Sequence, residues 1–248
     1  MPGVVWMAGQ VTVAPIEWHD ELGSTQDEAH ALAVARAAHG TAVATRIQTK
    51  GRGTRGREWM SGEGGLWLSV VCRPDGGAAV EVISLRVGLA LAALIDKLLP
   101  PPQHVSIKWP NDLYLKERKL GGILVEARWQ GESLGWMVIG VGLNVRNEIP
   151  ASLAWSAVSL ADAGVPMDPA ELATRVAQAV ARSARAASPL NPAELRAFAD
   201  RDWLRGRAVA FPTPGVAEGI TPEGRLMVRT LGGALTEATS PVQLESEA

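Results

Sequence analysis

Cysteine is almost absent: Cys72 is the only one among 248 residues. That excludes an internal disulfide and any metal site built from several cysteines. Cys72 lies in an apolar run, where a thiol serves as a small buried hydrophobe rather than a nucleophile. Net charge is small as well, −2 at neutral pH, so no bulk positive charge is available to hold nucleic acid. No run of about 18 apolar residues exists to cross a membrane as a helix. Met1–Ala14 is uncharged but too weakly apolar, and too mixed with Val and Thr, to read as a signal peptide. Before Ile16-Glu17-Trp18 there are too few residues for a helical DNA-reading module. These absences together predict a cytoplasmic protein with neither DNA nor membrane among its partners.

What is present is material for a core. Apolar residues make up 47% of the chain and charged ones 20%, enough for one catalytic-size domain with a small appendage. Ser24 reads as an N-cap with Asp27 three residues on, opening an alanine-rich helix expected to run to Gly40. Val43–Gln48 and Leu66–Arg73 read as strands. Ile83, Val87, Ala90, Leu91, Leu94 and Leu98 recur at helical spacing until Pro100-Pro101-Pro102. Val105–Trp109 reads as a short strand, and Gly122–Trp129 with Gly135–Val145 as a hairpin turning at Gln130–Ser133. Asp168-Pro169-Ala170-Glu171 and Asn191-Pro192-Ala193-Glu194 each give a cap, Pro at the first helical position and Glu at the third.

This order predicts an α+β fold, a mixed, mainly antiparallel sheet flanked by helices. A composition shift follows Trp203, so residues 1–203 are expected as a catalytic domain and 204–248 as a small β domain. Its strands are expected at Arg207–Phe211, Val216–Ile220, Leu226–Thr230 and Pro241–Leu244, with a turn at Thr221-Pro222-Glu223-Gly224.

Two clusters carry chemistry. In Lys50-Gly51-Arg52-Gly53-Thr54-Arg55-Gly56-Arg57-Glu58-Trp59, glycines alternate with cations. Glycine lets backbone approach a ligand, and arginine offers a planar fork of donors to carboxylate or phosphate. Such a loop is expected to be loose when empty and to close around an anion. Read alone, it is equally a solvated basic loop. The second cluster is Lys108-Trp109-Pro110-Asn111-Asp112, then Arg118-Lys119-Leu120-Gly121-Gly122, then Gly140-Val141-Gly142-Leu143-Asn144.

With Ser24-Thr25-Gln26, these blocks resemble the biotin protein ligase family in order and spacing, from about Trp18 to the C-terminus. The resemblance implies a class II synthetase-like catalytic domain with a C-terminal SH3-like barrel, in the ligase-only form. It implies that ATP and Mg2+ activate biotin as biotinyl-5'-AMP, and that biotin then passes to a lysine of a biotin carboxyl carrier protein. Monomer and homodimer both stay open, and no metal ligand is assigned.

By the same resemblance Arg52, Lys119 and Asp112 are the catalytic residues. Arg52 and Lys119 would meet the reacting carboxylate and phosphate, and Asp112 the incoming amine. Ser24, Thr25, Gln26, Gln48, Gly51, Arg52, Gly53, Thr54, Lys119 and Gly122 would bind biotin. Arg52, Trp59, Asn111, Lys119 and Asn144 would bind ATP or the adenylate. Each has a plainer reading: Ser24 as a cap, Lys119 as a solvated turn lysine, Asp112 as a partner of Lys108, Trp59 as core. Trp109 reads as packing.

The chain departs from the family pattern at Gln26, where many members have Asn, and at Thr54, where many have Arg. Rival readings are a lipoate ligase or octanoyltransferase of related fold, and a biotin-sensing regulator without turnover.

Overall fold

Leu66–Cys72 is buried at every position, which demands cover on both faces of its strand. The computed structural model describes residues 15–74, 80–185, 188–238 and 242–244, and it supplies that cover. The elements run β1 (Glu17–Leu22), α1 (Thr25–Val34), β2 (Ala42–Gln48), β3 (Leu66–Cys72), α2 (Val80–Ile95), β4 (Val105–Lys108), β5 (Asp112–Leu115), β6 (Arg118–Gln130) and β7 (Ser133–Leu143). Then follow α3 (Pro169–Ser183), α4 (Pro192–Ala199), β8 (Ala208–Phe211), β9 (Gly215–Ile220), β10 (Leu226–Thr230), β11 (Leu235–Ala238) and β12 (Gln243–Leu244). Seven strands form one sheet in the order β1-β2-β3-β7-β6-β5-β4. Only β1 pairs parallel, with β2, so the sheet is mixed and mainly antiparallel as expected.

Strand alternation divides this sheet into two unlike faces. Leu66, Leu68 and Val70 join one core with Ile83, Leu85, Leu91 and Ile95 of α2 and Leu172, Val176 and Val180 of α3. Burying an aliphatic side chain of this size contributes about 1.5–3 kcal/mol, so this face carries most of the stability. On the other face Val71 and Val138 pack with Ala29 and Ala33 of α1. That helix is only 10 residues long, too short to cover the whole face. The uncovered part carries the rows Trp67–Gly142–Gly122 and Ser69–Gly140–Leu124, set side by side by the β3–β7–β6 register. Small residues on an open sheet face leave room for a ligand.

Several expected boundaries shift. The first helix ends at Val34 rather than near Gly40, because Arg36 takes a positive φ of 64° and Ala37 N donates back to Leu32 O at 2.9 Å. The hairpin has its turn where expected, but β6 begins at Arg118, so Lys119 is a strand residue and not a turn lysine. β1, β5 and β11 had no counterpart in the sequence reading. The caps at Asp168 and Asn191 are both full capping boxes with Pro in the first turn.

The C-terminal strands form a five-stranded antiparallel sheet, order β11-β10-β9-β8-β12. No ladder joins β11 to β12 among the described residues, so the expected barrel is an open sheet. Gly224 N donates to Thr221 O, the turn expected there. Val209, Leu226 and Val228 belong to the same core as the large sheet. Trp109 Nε1 donates to Gly224 O at 2.8 Å, so Trp109 is packing that ties the two sheets together. The readings of Met1–Ala14 and Pro241 lie outside the described residues.

Candidate active site

The open part of the sheet face is a cavity of about 760 Å³. Ser24, Thr25, Gln26, Gln48, Arg52, Gly53, Thr54, Trp59, Asn111, Asp112, Lys119, Gly122 and Asn144 all line it. Residues separated by up to 120 positions therefore converge as the sequence reading expected. Gly51 is the exception, since it does not line the cavity. A Cβ there would stand 2.3 Å from Trp59 O, so its role is to let the basic loop fold back on itself.

The inner end of the cavity is built by α1. Ser24 Oγ accepts from Gln26 N at 3.3 Å, which caps the helix and points its first turn at the cavity. Gln48 Oε1 accepts from Thr25 N and Thr25 Oγ1, and Gln48 Nε2 donates to Ser61 Oγ. Ser69 Oγ donates to Gln26 Oε1 at 2.9 Å. Donors and acceptors thus surround an otherwise glycine-floored slot, an arrangement suited to a small polar ring.

At the outer end, β5 and β6 bring Asp112 opposite Gly122. Lys119 Nζ lies 2.7 Å from Asp112 Oδ2 and 4.9 Å from the centre of the Trp59 ring. Asp112 is therefore paired with Lys119, not with Lys108, which stacks over Tyr114 and Trp203. The Trp59 indole rests on the glycine row, where a Cβ on Gly142 would come within 2.7 Å of it. Trp59 is half-buried over the cavity rather than core, with its Nε1 buried and unpaired. Asn111 Nδ2 donates to Ile123 O at 2.9 Å, and Asn144 Oδ1 accepts from Asn147 Nδ2 at 3.2 Å. Each amide retains hydrogen-bonding capacity beyond these contacts.

The basic loop is organised by the chain's own carboxylates. Arg52 Nη1 lies 2.7 Å from Asp27 Oδ1, and its Nη2 lies 3.5 Å from Glu126 Oε2. Arg52 thus has anionic partners within the chain itself. Arg57 also lines the cavity and donates from Nη2 to Thr54 Oγ1 at 3.1 Å. It stands beside Thr54, one of the two departures noted in the sequence.

Glu126, His30, Asp27 and Trp136 were not singled out from the sequence as site residues. Glu126 Oε2 receives Gln26 Nε2 and His30 Nε2, both at 3.0 Å. Trp136 Nε1 donates to His30 Nδ1 at 3.1 Å, so the imidazole carries its proton on Nε2, facing Glu126. The His30 hydrogen bond holds the Glu126 carboxyl below the usual carboxylate range; burial opposes this, and Arg52 adds to it. A signal was available, because Glu126 is two strand steps of two from Gly122, on the same sheet face.

A model of the biotin/lipoate A/B protein ligase family matches residues 22–144. A biotin–[acetyl-CoA-carboxylase] ligase of Paracoccus denitrificans is 33% identical over 83% of this chain and 91% of its own length. The chain belongs to the biotin protein ligase family. A Mycobacterium tuberculosis protein named in the same way is 31% identical over 90% of this chain and 86% of its own length. Aquifex aeolicus biotin protein ligase, in complex with biotin and ATP, superimposes with a TM-score of 0.76. It is 26% identical, over 93% of this chain and 99% of that one. Bifunctional ligase/repressors of this family match over a shorter span. The chain covers 46% of the length of the one from Bacillus subtilis, at 37% identity.

Proposed function

We propose that this protein is an ATP-dependent biotin–[biotin carboxyl carrier protein] ligase. Biotin's carboxylate attacks the α-phosphorus of ATP to give biotinyl-5'-AMP and pyrophosphate. An acceptor lysine then displaces AMP. The observation that carries the reading is the Lys119–Asp112 pair, 2.7 Å apart at the mouth of a glycine-floored cavity that Arg52 also lines. The relative from Aquifex aeolicus holds biotin and ATP, and one from Leishmania major holds biotinyl-5-AMP, which favours biotin over lipoate as substrate.

In the first step two anions must meet, and fixed cations in a water-poor slot lower that barrier most. Lys119 and Arg52 supply them, Arg52 as a fork and Lys119 as a point charge that follows the moving oxygen. Ser24, Thr25, Gln26 and Gln48 bind the ureido ring. Gly53, Thr54 and Gly122 line its carboxylate tail, and Asn111, Asn144 and Trp59 hold the adenylate. In the second step the acceptor amine must lose a proton before attack, since its pKa in water is about 10.4. Asp112 orients the ammonium and takes that proton, and Lys119 stays on the carbonyl oxygen as AMP leaves.

No group of three or more His, Cys, Asp or Glu suited to a metal occurs among the described residues. Mg2+ commonly takes one or two carboxylates together with substrate phosphate oxygens, and when bound it would help neutralise the departing pyrophosphate. The same reading divides the chain into a catalytic part, 1–203, and a C-terminal β part, 204–248. It places the enzyme in the cytoplasm, as monomer or homodimer, with the carrier protein as partner and DNA not involved. No helix among the described residues is long and apolar enough to cross a membrane.

The test is pyrophosphate release from ATP with biotin, with lipoate as the alternative substrate, followed by transfer to a carrier domain. Release with lipoate alone, or none with either, sinks the reading.

A further inference from the structure

Arg52 is held by two carboxylates that differ in every respect that matters. Glu126 is 24% exposed, sits on a strand, and its Oε2 also takes hydrogen bonds from Gln26 and His30 at 3.0 Å. Asp27 is 64% exposed, in the first turn of α1. Among the described residues Arg52 is the one side chain bonded to its carboxylate, with Nη1 at 2.7 Å and 2.8 Å from the two oxygens. Water and the helix N-terminus can stabilise Asp27 without a partner. Glu126 is instead fixed in place by Gln26 and His30, which hold it behind Arg52 whatever else the guanidinium contacts.

A guanidinium grips a carboxylate or phosphate through a pair of parallel N–H bonds. Arg52 has Nη1 committed to Asp27 and Nη2 turned toward Glu126. It has no pair of terminal nitrogens to offer the cavity until one carboxylate lets go. The exposed one, held by a single partner, is the one that leaves at lower cost.

We propose that Asp27 is a displaceable stand-in for the ligand's anion. It holds Arg52 while the cavity is empty and yields it to the carbonyl and phosphate oxygens of biotinyl-5'-AMP. Glu126 remains as the positioning residue that keeps the guanidinium aimed. The inference rests on the reading of the cavity given above. Its consequence is that Asp27 weakens adenylate binding, because each ligand must replace a contact already made, whereas Glu126 strengthens it. Two carboxylates on one arginine thus act with opposite sign.

Calorimetric titration of biotinyl-5'-AMP into the parent, Asp27→Asn, Asp27→Glu and Glu126→Gln tests this. Asp27→Asn should bind about two- to fivefold tighter, the range of a half-exposed ion pair, with the gap narrowing as salt rises. Asp27→Glu restores the competing charge and should stay close to the parent. Glu126→Gln should bind several-fold more weakly. Parent-like or weaker binding by Asp27→Asn overturns the role of Asp27, and tighter binding by Glu126→Gln overturns the anchor. A lowered melting temperature with weakened binding in both variants marks merely structural roles, which also overturns the proposal. A parent that neither binds biotinyl-5'-AMP nor releases pyrophosphate identifies failure of the functional reading itself, and the inference falls with it.

Discussion

At the scale of single side chains, the proposed chemistry leans most heavily on Lys119. It is a strand residue with 24% side-chain exposure, tied to Asp112 at 2.7 Å. A partly exposed ion pair contributes at most about 1 kcal/mol to stability, so Lys119→Ala should fold. Losing a fixed cation where charge develops costs about 3 kcal/mol or more, roughly a hundredfold or greater in rate. Pyrophosphate release by the variant, at a melting temperature near that of the parent, is the measurement. Release within about threefold of the parent removes Lys119 from the catalytic step. Lys119, Asn111 and Asn144 were singled out through the family resemblance of the short blocks that contain them, and all three line the cavity. Asp27 and Glu126 were not legible as partners of Arg52. Their meeting depends on a strand register and a helix start that the local sequence does not announce.

Elements were legible where a periodic pattern or a cap marks them, and illegible where neither does. The helix at Asp168 shows its capping box in four letters. By contrast β1 reads EWHDEL, a largely exposed edge strand with no alternation to betray it. β5 was missed because four residues after Trp109-Pro110 look like part of a turn. The attachment of α4 was hidden for another reason. Arg86 of α2 is 2% exposed and Glu194 of α4 is 6% exposed, with Arg86 Nε donating to Glu194 Oε1 at 2.6 Å. Glu194 also closes the capping box of its own helix through Asn191 N. An arginine in a helical pattern gives no sign that it will be buried. Removing one partner of a buried pair strands the other charge, so Arg86→Ala should cost about 3–5 kcal/mol. Arg86→Met with Glu194→Gln should recover much of it, since the stranded charge is gone. Chemical denaturation of the three proteins decides; a loss under about 1 kcal/mol in the single variant would show that water reaches Glu194.

At the scale of the whole molecule the two sheets share one core, and their junction holds a half-buried carboxylate. Ile107 N donates to Arg201 O and Trp203 N to Ile107 O, stitching β4 to the segment that leads into β8. Between them Asp202 Oδ1 accepts from Leu204 N at 2.9 Å, while Oδ2 is buried with no partner. Burial pushes its carboxyl up to about 6, against the opposing backbone donors Leu204 and Arg205 and the Arg205 charge. A carboxyl raised in the folded state binds its proton more tightly there than in the unfolded chain. Its contribution to stability is therefore complete below the unfolded value of 3.8 and is lost as pH rises through about 6. Glu126 runs the other way: its lowered carboxyl contributes above the ordinary carboxylate range and loses that contribution as pH falls. Asp202→Asn keeps the Oδ1 acceptor and removes the charge. It should stabilise the protein by about 1–2 kcal/mol above pH 7, discounted for partial access of water, and by nothing near pH 4. Denaturant midpoints of parent and variant across that interval measure the difference. A difference that does not change with pH, or a variant less stable at every pH, would mean that the Asp202 carboxylate is stabilised at the junction by something other than its backbone donors. The pH response of the assembled molecule would then have to originate elsewhere.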